Sequence, residues 1–145
     1  MDMPRWYSQL QWSAPQRVLD LDPEAAPLGA GIYVYTENDL PLSPTNVLYV
    51  GKADGARQTL RSRIGVYLRR FRSPTGKPSK HAGLEQLNGH FRTRPTALFL
   101  RWAGVVAARD VEGRLIELFD PDFNNKDEHR HGFADDELIP DEYLY

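Results

Sequence analysis

The chain has 145 residues, of which 41% are hydrophobic and 26% are charged, and its formal net charge is −2. These values are typical of one folded domain with its own core, and they argue against a chain that is disordered throughout. The sequence contains no cysteine, which excludes a disulfide framework, a thiolate metal site and a cysteine nucleophile. No run of about 18 apolar residues occurs, so we expect a cytoplasmic protein without a membrane-spanning segment.

The charge is distributed unevenly along the chain. Residues 52–80 contain nine lysines and arginines and one acid, whereas residues 126–145 contain seven acids and two basic residues. A basic block is typical of proteins that contact a polyanion, although a solvated helix face has the same composition. We expect a packed lead-in at residues 1–28, a central domain at residues 29–125, and an acidic tail at residues 126–145 that is a candidate contact for a protein partner.

Two segments after the lead-in are rich in β-branched and aromatic residues. Residues 31–36 (Gly-Ile-Tyr-Val-Tyr-Thr) and 47–50 (Val-Leu-Tyr-Val) flank a connection with several turn residues, which predicts a hairpin with a long loop. Aliphatic residues alternate with tyrosines in both segments, so one sheet face should be aliphatic and the other aromatic. If the strands pair, Tyr33 and Tyr49 lie on one face, either as a functional pair or as two packing tyrosines.

Residues 57–72 carry apolar side chains at helical spacing, which predicts an amphipathic helix. At about 100° per residue, Arg63 lies at the edge of the apolar arc beside Tyr67, whereas Arg69 points to the far side. The rest of the domain is predicted to contain a basic loop, a short helix, a third strand and a second long helix. Their expected positions are residues 73–80, 81–87, 96–102 and 107–119, with a turn at Asn88 and Gly89 after the short helix.

The second long helix carries a carboxylate on its apolar side. The apolar residues of this helix share an arc of about 160°, and Glu112 falls inside it, while Arg109, Arg114 and Glu117 project outward or lie at its edge. A carboxylate on a packed face needs a cation, a metal ion or several hydrogen bonds. A salt bridge, to Arg63 or another arginine, and coordination of a metal ion are both open. Mg²⁺ suits the second alternative because it binds one or two carboxylates together with water and phosphate oxygens.

The motifs, in this order, resemble those of the GIY-YIG nuclease family over residues 31–125. Gly31-Ile32-Tyr33 and Tyr49-Val50-Gly51 match the two named tripeptides, and Lys52-Ala53 continues the second. The helix motif appears at residues 59–64, after an insertion at residues 55–58. Its arginine is Arg63, which the helical projection favours over Arg61, and Tyr67 stands where members have tyrosine or histidine. Glu112 and the segment 121–124 (Pro-Asp-Phe-Asn) resemble the metal-binding glutamate and the closing proline and asparagine.

The resemblance implies an α+β fold with a small, central, mainly antiparallel three-stranded sheet flanked by helices. It implies a metal-dependent endonuclease that hydrolyses DNA phosphodiester bonds with one divalent ion, Mg²⁺ or Mn²⁺, bound by Glu112. Residues 29–125 would then be the catalytic domain. The implied catalytic residues are Tyr33, Tyr49, Lys52, Arg63, Tyr67, Glu112 and Asn124.

These residues can be given chemical roles. Arg63 would neutralise charge on the phosphate, because a guanidinium matches phosphate geometry. Tyr33 or Tyr49 would orient the attacking water and take its proton, and since an ordinary tyrosine has a pKa of about 10, Lys52 or the metal would have to lower it. Tyr67 and Asn124 would support the water, the phosphate or the geometry of the site.

Further basic residues are candidate contacts to the phosphates of DNA, double-stranded or structured, which we favour over RNA. They are Arg61, Arg69, Arg70, Arg72, Lys77 and Lys80. His81 and His90 flank the basic loop as alternative phosphate contacts or general bases, whereas His129 and His131 lie in a polar stretch that we expect to be solvated.

Two other functions have to be separated from the endonuclease. A non-catalytic nucleic-acid-binding relative would lack the reaction, but the intact set of tyrosine, arginine, glutamate and asparagine argues against it. A DNase toxin or effector domain would share the chemistry and differ in its biological role.

Overall fold

The computed structural model describes residues 2–73, 75–125 and 138–145. Within these residues the chain has an α+β architecture, in which one antiparallel sheet packs between three α-helices. The sheet has the order β1-β4-β2-β3, with β1 at Gln16–Arg17, β2 at Gly31–Thr36, β3 at Val47–Ala53 and β4 at Phe99–Gly104. The helices are α1 at Leu60–Phe71, α2 at Ala82–Thr93 and α3 at Ala108–Phe119.

The predicted α+β class and the antiparallel arrangement are confirmed, and the sheet contains a fourth strand in addition to the three predicted. The additional strand, β1, comes from the lead-in and pairs with β4 through Gln16 opposite Leu100 and Arg17 opposite Phe99. Two residues are too few for an alternating hydrophobic pattern, so the sequence gives no signal for this strand. Part of the lead-in therefore completes the sheet.

The hairpin of β2 and β3 is confirmed. The strands pair from Gly31 opposite Ala53 to Tyr35 opposite Tyr49. The loop between them is held by the amide of Asn46, whose Oδ1 accepts from the Ser43 backbone N–H at 2.9 Å and whose Nδ2 donates to Asn38, Leu40 and Pro41. This one buried side chain replaces the backbone pairing that a long loop lacks.

The two sheet faces have the different compositions that the alternation predicts. Tyr33, Tyr35 and Tyr49 belong to one buried cluster, which also contains the apolar faces of α1 and α2. Ile32, Val34 and Val50 belong to a second cluster, which contains α3 and the N-terminal Trp6. Tyr33 and Tyr49 thus face the layer formed by α1 and α2, whereas Lys52, which pairs with Ile32, points to the other face.

The start of α1 is set by capping rather than by the apolar pattern. Thr59 and Ser62 form a capping box, in which each side chain accepts from the backbone N–H of the other residue. Residues 57 and 58, which the sequence prediction included in the helix, belong to a turn before it. There Asp54 Oδ1 accepts backbone N–H groups from Ala56 and Arg57 at 3.1 and 3.3 Å.

The predicted short helix at residues 81–87 is in fact α2, which continues to Thr93, so the predicted turn at Asn88 and Gly89 is wrong. Leu87 and Phe91 are buried in the aromatic cluster. Burial of this helical face outweighs the local turn preference of the Asn-Gly pair. In α3, Arg114 also differs from its expected outward position, since it is buried and its Nη1 lies 2.6 Å from Glu117 Oε2.

The expected acidic tail lies largely outside the described residues, as do His129 and His131. In the described end of the chain, Ile139 is buried and the hydroxyl of Tyr145 donates to the carbonyl of Ala30 at 2.8 Å. No helix in the three described ranges combines the length and the apolar composition that crossing a bilayer requires.

The lead-in can be tested as part of the folded core by comparing two neighbouring substitutions. Val18 is 1% exposed and Leu19 is 43% exposed. We expect Val18→Ala to lower the free energy of unfolding by about 1–3 kcal/mol, because it removes buried methyl groups and leaves a cavity. Leu19→Ala should change it by less than about 0.5 kcal/mol. Denaturant unfolding measures both, and equal effects would contradict the packing of the lead-in.

Candidate active site

A cleft of about 920 Å³ lies at the end of the aromatic sheet face, between the starts of α1, α2 and α3 and the segment that follows α3. All the catalytic residues expected from the sequence except Tyr67 line it. They are Tyr33, Tyr49, Lys52, Arg63, Glu112 and Asn124. The fold thus brings together residues from β2, β3, α1, α3 and the 121–125 segment.

A chain of hydrogen bonds connects α1 to β2 at the cleft. Arg63 Nε donates to the hydroxyl of Tyr33 at 3.3 Å, and the hydroxyls of Tyr33 and Tyr67 share a hydrogen bond at 3.0 Å. The Arg63 guanidinium also lies 5.3 Å from the centre of the Tyr67 ring. Tyr67 is fully buried and does not line the cleft, so its hydroxyl contributes by holding the hydroxyl of Tyr33 in position.

Close packing explains why the second tripeptide has a glycine, Gly51. Gly51 pairs with Tyr33 across the hairpin, and a Cβ at Gly51 would come within 2.3 Å of the Tyr33 ring. The ring therefore lies directly over the backbone of β3. Any larger residue at this position would displace the tyrosine that Arg63 contacts.

Burial is the main influence on the acidity of these tyrosines. It raises the pKa of Tyr33, Tyr49 and Tyr67 well above the ordinary value, while the positive charge of Arg63 lowers each of them in part. The sequence interpretation expected Lys52 or a metal ion to supply this charge. In the structure the protein cation that acts on all three pKa values is Arg63.

Glu112 lies on the buried side of α3, as its helical projection indicates, and is 5% exposed. Its negative charge raises the pKa of Tyr49, after the larger effects of burial and of Tyr67. The carboxylate of α3 and the phenol of β3 therefore lie within electrostatic reach of each other. Asp122 and Asn125 also line the cleft, and carboxylate and amide oxygens are ligand types that Mg²⁺ and Mn²⁺ prefer.

Asn124 binds the outer edge of the sheet. Its Oδ1 accepts from the Val50 backbone N–H at 2.9 Å and its Nδ2 donates to the Val50 carbonyl at 2.8 Å. The backbone N–H of Phe123 also bonds to β3, donating to the carbonyl of Leu48 at 3.1 Å. Because both polar ends of the Asn124 amide are bonded to β3, this residue fixes the strand that carries Tyr49.

The predicted nucleic-acid contacts do not lie on a single surface. Lys80 lines the cleft, and Lys77 is exposed in the basic loop. Arg70 binds Glu85 through Nε and Nη2, each at 2.9 Å, and so joins α1 to α2. A separate groove of about 690 Å³ on the outer side of α1 is lined by Arg57, Arg61, Arg69 and Arg72.

Sequence reasoning did not assign a role to several polar residues that line the cleft, among them Gln58, Gln86, Arg109 and Asn125. Arg109 stands three residues before Glu112 on the same helix, a spacing that places it on a neighbouring part of the surface. Gln58 lies in the turn before α1, and nothing in its local pattern distinguishes it. His90, an alternative contact, has its Nε2 2.7 Å from the Ala97 carbonyl and does not line the cleft.

Comparison of the chain with models of known families, with curated proteins and with solved structures gave no match. The similarity to GIY-YIG nucleases therefore stays a prediction from the motifs. Among the described residues, no group of three or more histidines or acidic side chains is arranged to hold a metal ion.

The contact of Gly51 with Tyr33 can be tested with a matched pair of glycines. We expect Gly51→Ala to destabilise the protein by about 1–3 kcal/mol, because the buried Tyr33 ring has no space to move. Gly89 lies in α2, and a Cβ there meets no atom within 4 Å. Gly89→Ala should stabilise the helix by about 0.5–1 kcal/mol. Thermal unfolding compares the two, and a neutral Gly51→Ala would contradict the close approach.

The buried tyrosines should make the protein sensitive to alkali. Their pKa values are raised on folding, so above a pH of about 10 the unfolded chain loses protons that the folded protein keeps. The free energy of unfolding should be independent of these groups below that pH and fall above it. Phenolate absorbance should show Tyr33, Tyr49 and Tyr67 ionising only as the protein unfolds. Ionisation of all three in the folded state near pH 10 would disagree with their burial.

Proposed function

We propose that this chain is a metal-dependent endonuclease of the GIY-YIG type, which hydrolyses phosphodiester bonds of DNA in the cleft. The observation that carries the proposal is the convergence of an arginine, two tyrosine hydroxyls and a nearly buried glutamate from four distant parts of the sequence. A packing role alone explains the tyrosine rings. It does not require an arginine from α1 and a glutamate from α3 in the same cleft.

The charge of the cleft suits a phosphodiester. Four basic side chains line it against two acidic ones, namely Lys52, Arg63, Lys80 and Arg109 against Glu112 and Asp122. Arg63 is half-buried and bonded to Tyr33, so its guanidinium is held in place before a substrate arrives. Such a preorganised cation stabilises the additional negative charge of the pentavalent transition state.

The tyrosines supply the proton acceptor in this mechanism. Once Tyr33 or Tyr49 has given its own proton to solvent, its phenolate oxygen takes a proton from the water as the water oxygen attacks phosphorus. The bond from phosphorus to the 3′ oxygen breaks, and that oxygen takes a proton from solvent. The products are a 5′-phosphate and a 3′-hydroxyl. Both phenols are neutral at ordinary pH in the folded protein, so one of them has to release its own proton first.

Glu112 is the residue that would hold the divalent ion, with Asp122 and the amide oxygen of Asn125 nearby in the same cleft. Few protein ligands are sufficient for Mg²⁺ or Mn²⁺, because water and phosphate oxygens complete the shell. When bound, the ion supplies Lewis-acid polarisation of the phosphate and a positive charge that favours phenolate over phenol.

The basic residues outside the cleft would bind the flanking DNA backbone. The arginine groove on the outer side of α1 and the loop with Lys77 are suited to phosphate, which gives affinity with little dependence on sequence. Arg70 is excluded from this role in our proposal because Glu85 already occupies its guanidinium.

The reaction can be tested with supercoiled plasmid and Mg²⁺, Mn²⁺ or EDTA. We expect the wild type to nick and linearise the plasmid with either metal and to be inactive in EDTA. Glu112→Gln preserves the shape of the side chain but removes its charge, and it should abolish cleavage while DNA binding persists. Glu117→Gln, on the exposed side of the same helix, is the control and should cut normally. Full activity in Glu112→Gln would refute the assigned site.

The two arginines of the helix motif give a second test. Arg63→Ala should lower the cleavage rate roughly 100-fold or more, as loss of a preorganised charge at the transition state does. Arg61 faces the other side of α1, where its Nε donates to the Ala26 carbonyl at 2.9 Å. Arg61→Ala should therefore change the rate only a few-fold. The opposite ranking would mean that the motif is displaced by two residues.

If the wild type does not cut DNA with any of the metals, the non-catalytic nucleic-acid-binding alternative would be favoured. Retention of DNA binding, measured by gel shift, would then be the distinguishing observation. A toxin or effector role shares the cleft chemistry and would be decided by the effect of expression on a host cell, with Glu112→Gln as the inactive control.

A further inference from the structure

The first turn of α2 holds both the ring and the hydroxyl of Tyr49. His81 is the N-cap of this helix, and its Nδ1 accepts the backbone N–H of Leu84 at 2.9 Å. The other nitrogen of the same ring, Nε2, lies 3.1 Å from the Tyr49 hydroxyl oxygen. Gly83 lies against the tyrosine ring, since a Cβ there would come within 2.5 Å of its Cε1.

The capping bond determines the tautomer of His81. A nitrogen that accepts a hydrogen bond carries no proton, so Nδ1 is unprotonated and the proton of the neutral ring is on Nε2. An imidazolium has no acceptor nitrogen, so the capping bond requires the neutral ring. Burial, followed by the positive charge of Arg63, lowers the pKa of His81 in the same sense. Nε2–H then donates to the hydroxyl oxygen of Tyr49. The hydroxyl hydrogen of Tyr49 therefore points away from His81.

We propose that His81 is a positioning residue that donates a hydrogen bond from Nε2 to the Tyr49 hydroxyl and holds this oxygen ready to meet the attacking water. The proposal rests on the nuclease function proposed above. It also excludes His81 as the general base, because one ring nitrogen is occupied by the helix cap and the other already carries a proton.

The hydrogen bond has two effects on Tyr49. It fixes the oxygen in the cleft, together with the steric restraint from Gly83, and it stabilises negative charge on that oxygen when the proton leaves. On the other side of the cluster, Arg63 donates in the same way to Tyr33. His81 performs this task without adding a second positive charge, and Arg63 remains the cation that contacts the phosphate.

One substitution separates the donor role from the capping role. Asparagine is among the best N-cap residues, so His81→Asn should keep the cap, but its side chain is too short to reach Tyr49. We expect His81→Asn to have the thermal stability and KM of the wild type, with kcat on a DNA duplex with Mg²⁺ reduced about 10-fold to 100-fold, as for other supporting hydrogen bonds. His81→Ala removes both bonds and should lose stability as well. His90→Asn, in the same helix but outside the cleft, should leave kcat unchanged.

The hydrogen bond itself can be observed without activity. Nitrogen-15 NMR of the histidine ring should show His81 protonated on Nε2 and unprotonated on Nδ1, and Tyr49→Phe should shift the Nε2 signal. A proton on Nδ1, or an unreduced kcat in His81→Asn, would overturn the proposal while leaving the nuclease intact. A wild type that cuts no DNA would refute the nuclease, and the NMR result would still decide whether His81 donates to Tyr49.

Discussion

The register of β2 against β3 determines where the polar groups of the cleft lie. Pairing of Tyr33 with Gly51 and of Tyr35 with Tyr49 puts three tyrosines on one face and leaves space for one ring to cross the neighbouring backbone. A shift by one residue would turn Tyr33 and Tyr49 to the aliphatic face, against α3. The helices α1 and α2 then add Arg63 and His81 to positions that the strands have already fixed.

The edge strand β3 requires support because it carries Tyr49 and Lys52 and has a sheet partner on one side only. The segment after α3 supplies this support, since the Asn124 amide bonds to both polar groups of Val50. The same arrangement places Glu112, one element earlier in the chain, near Tyr49. The free edge of the sheet is thereby covered, which also limits pairing with other chains.

Burial of the tyrosines has opposing consequences for the proposed chemistry. It gives each ring one position and protects the cluster from exchange with water. It also raises the pKa of each phenol, and the neutral form dominates until positive charge approaches. Arg63 supplies part of that charge permanently. In the proposed mechanism the phenolate would form when a divalent ion adds further positive charge.

Local patterns predicted the elements that place the site. The alternation in residues 31–36 gave the bounds of β2 and its two faces. Helical projection placed Glu112 on the packed side of α3 and Arg63 at the edge of the packed side of α1. Patterns failed where distant packing decides. The burial of Leu87 and Phe91 extends α2 through an Asn-Gly pair, and the ion pair of Arg70 with Glu85 exists only because α1 packs on α2.

The roles of Asn124 and His81 were likewise beyond local patterns. Each depends on a hydrogen bond to β3 from a segment far away in the sequence, Asn124 to Val50 and His81 to Tyr49. The helix-capping position of His81 is readable from the sequence only after the start of α2 is known. Its orientation toward a tyrosine requires the packed structure.

The most direct test of the account is cleavage of a defined DNA duplex with Mg²⁺ in water enriched in oxygen-18, followed by mass spectrometry of the products. If Tyr33 or Tyr49 activates water and Arg63 and Glu112 act on the phosphate, each cut should give one 5′-phosphate end with one labelled oxygen and one unlabelled 3′-hydroxyl end. No protein should remain attached to the DNA. A covalent tyrosine adduct, a 3′-phosphate product, or intact DNA with every divalent metal would contradict the proposed site.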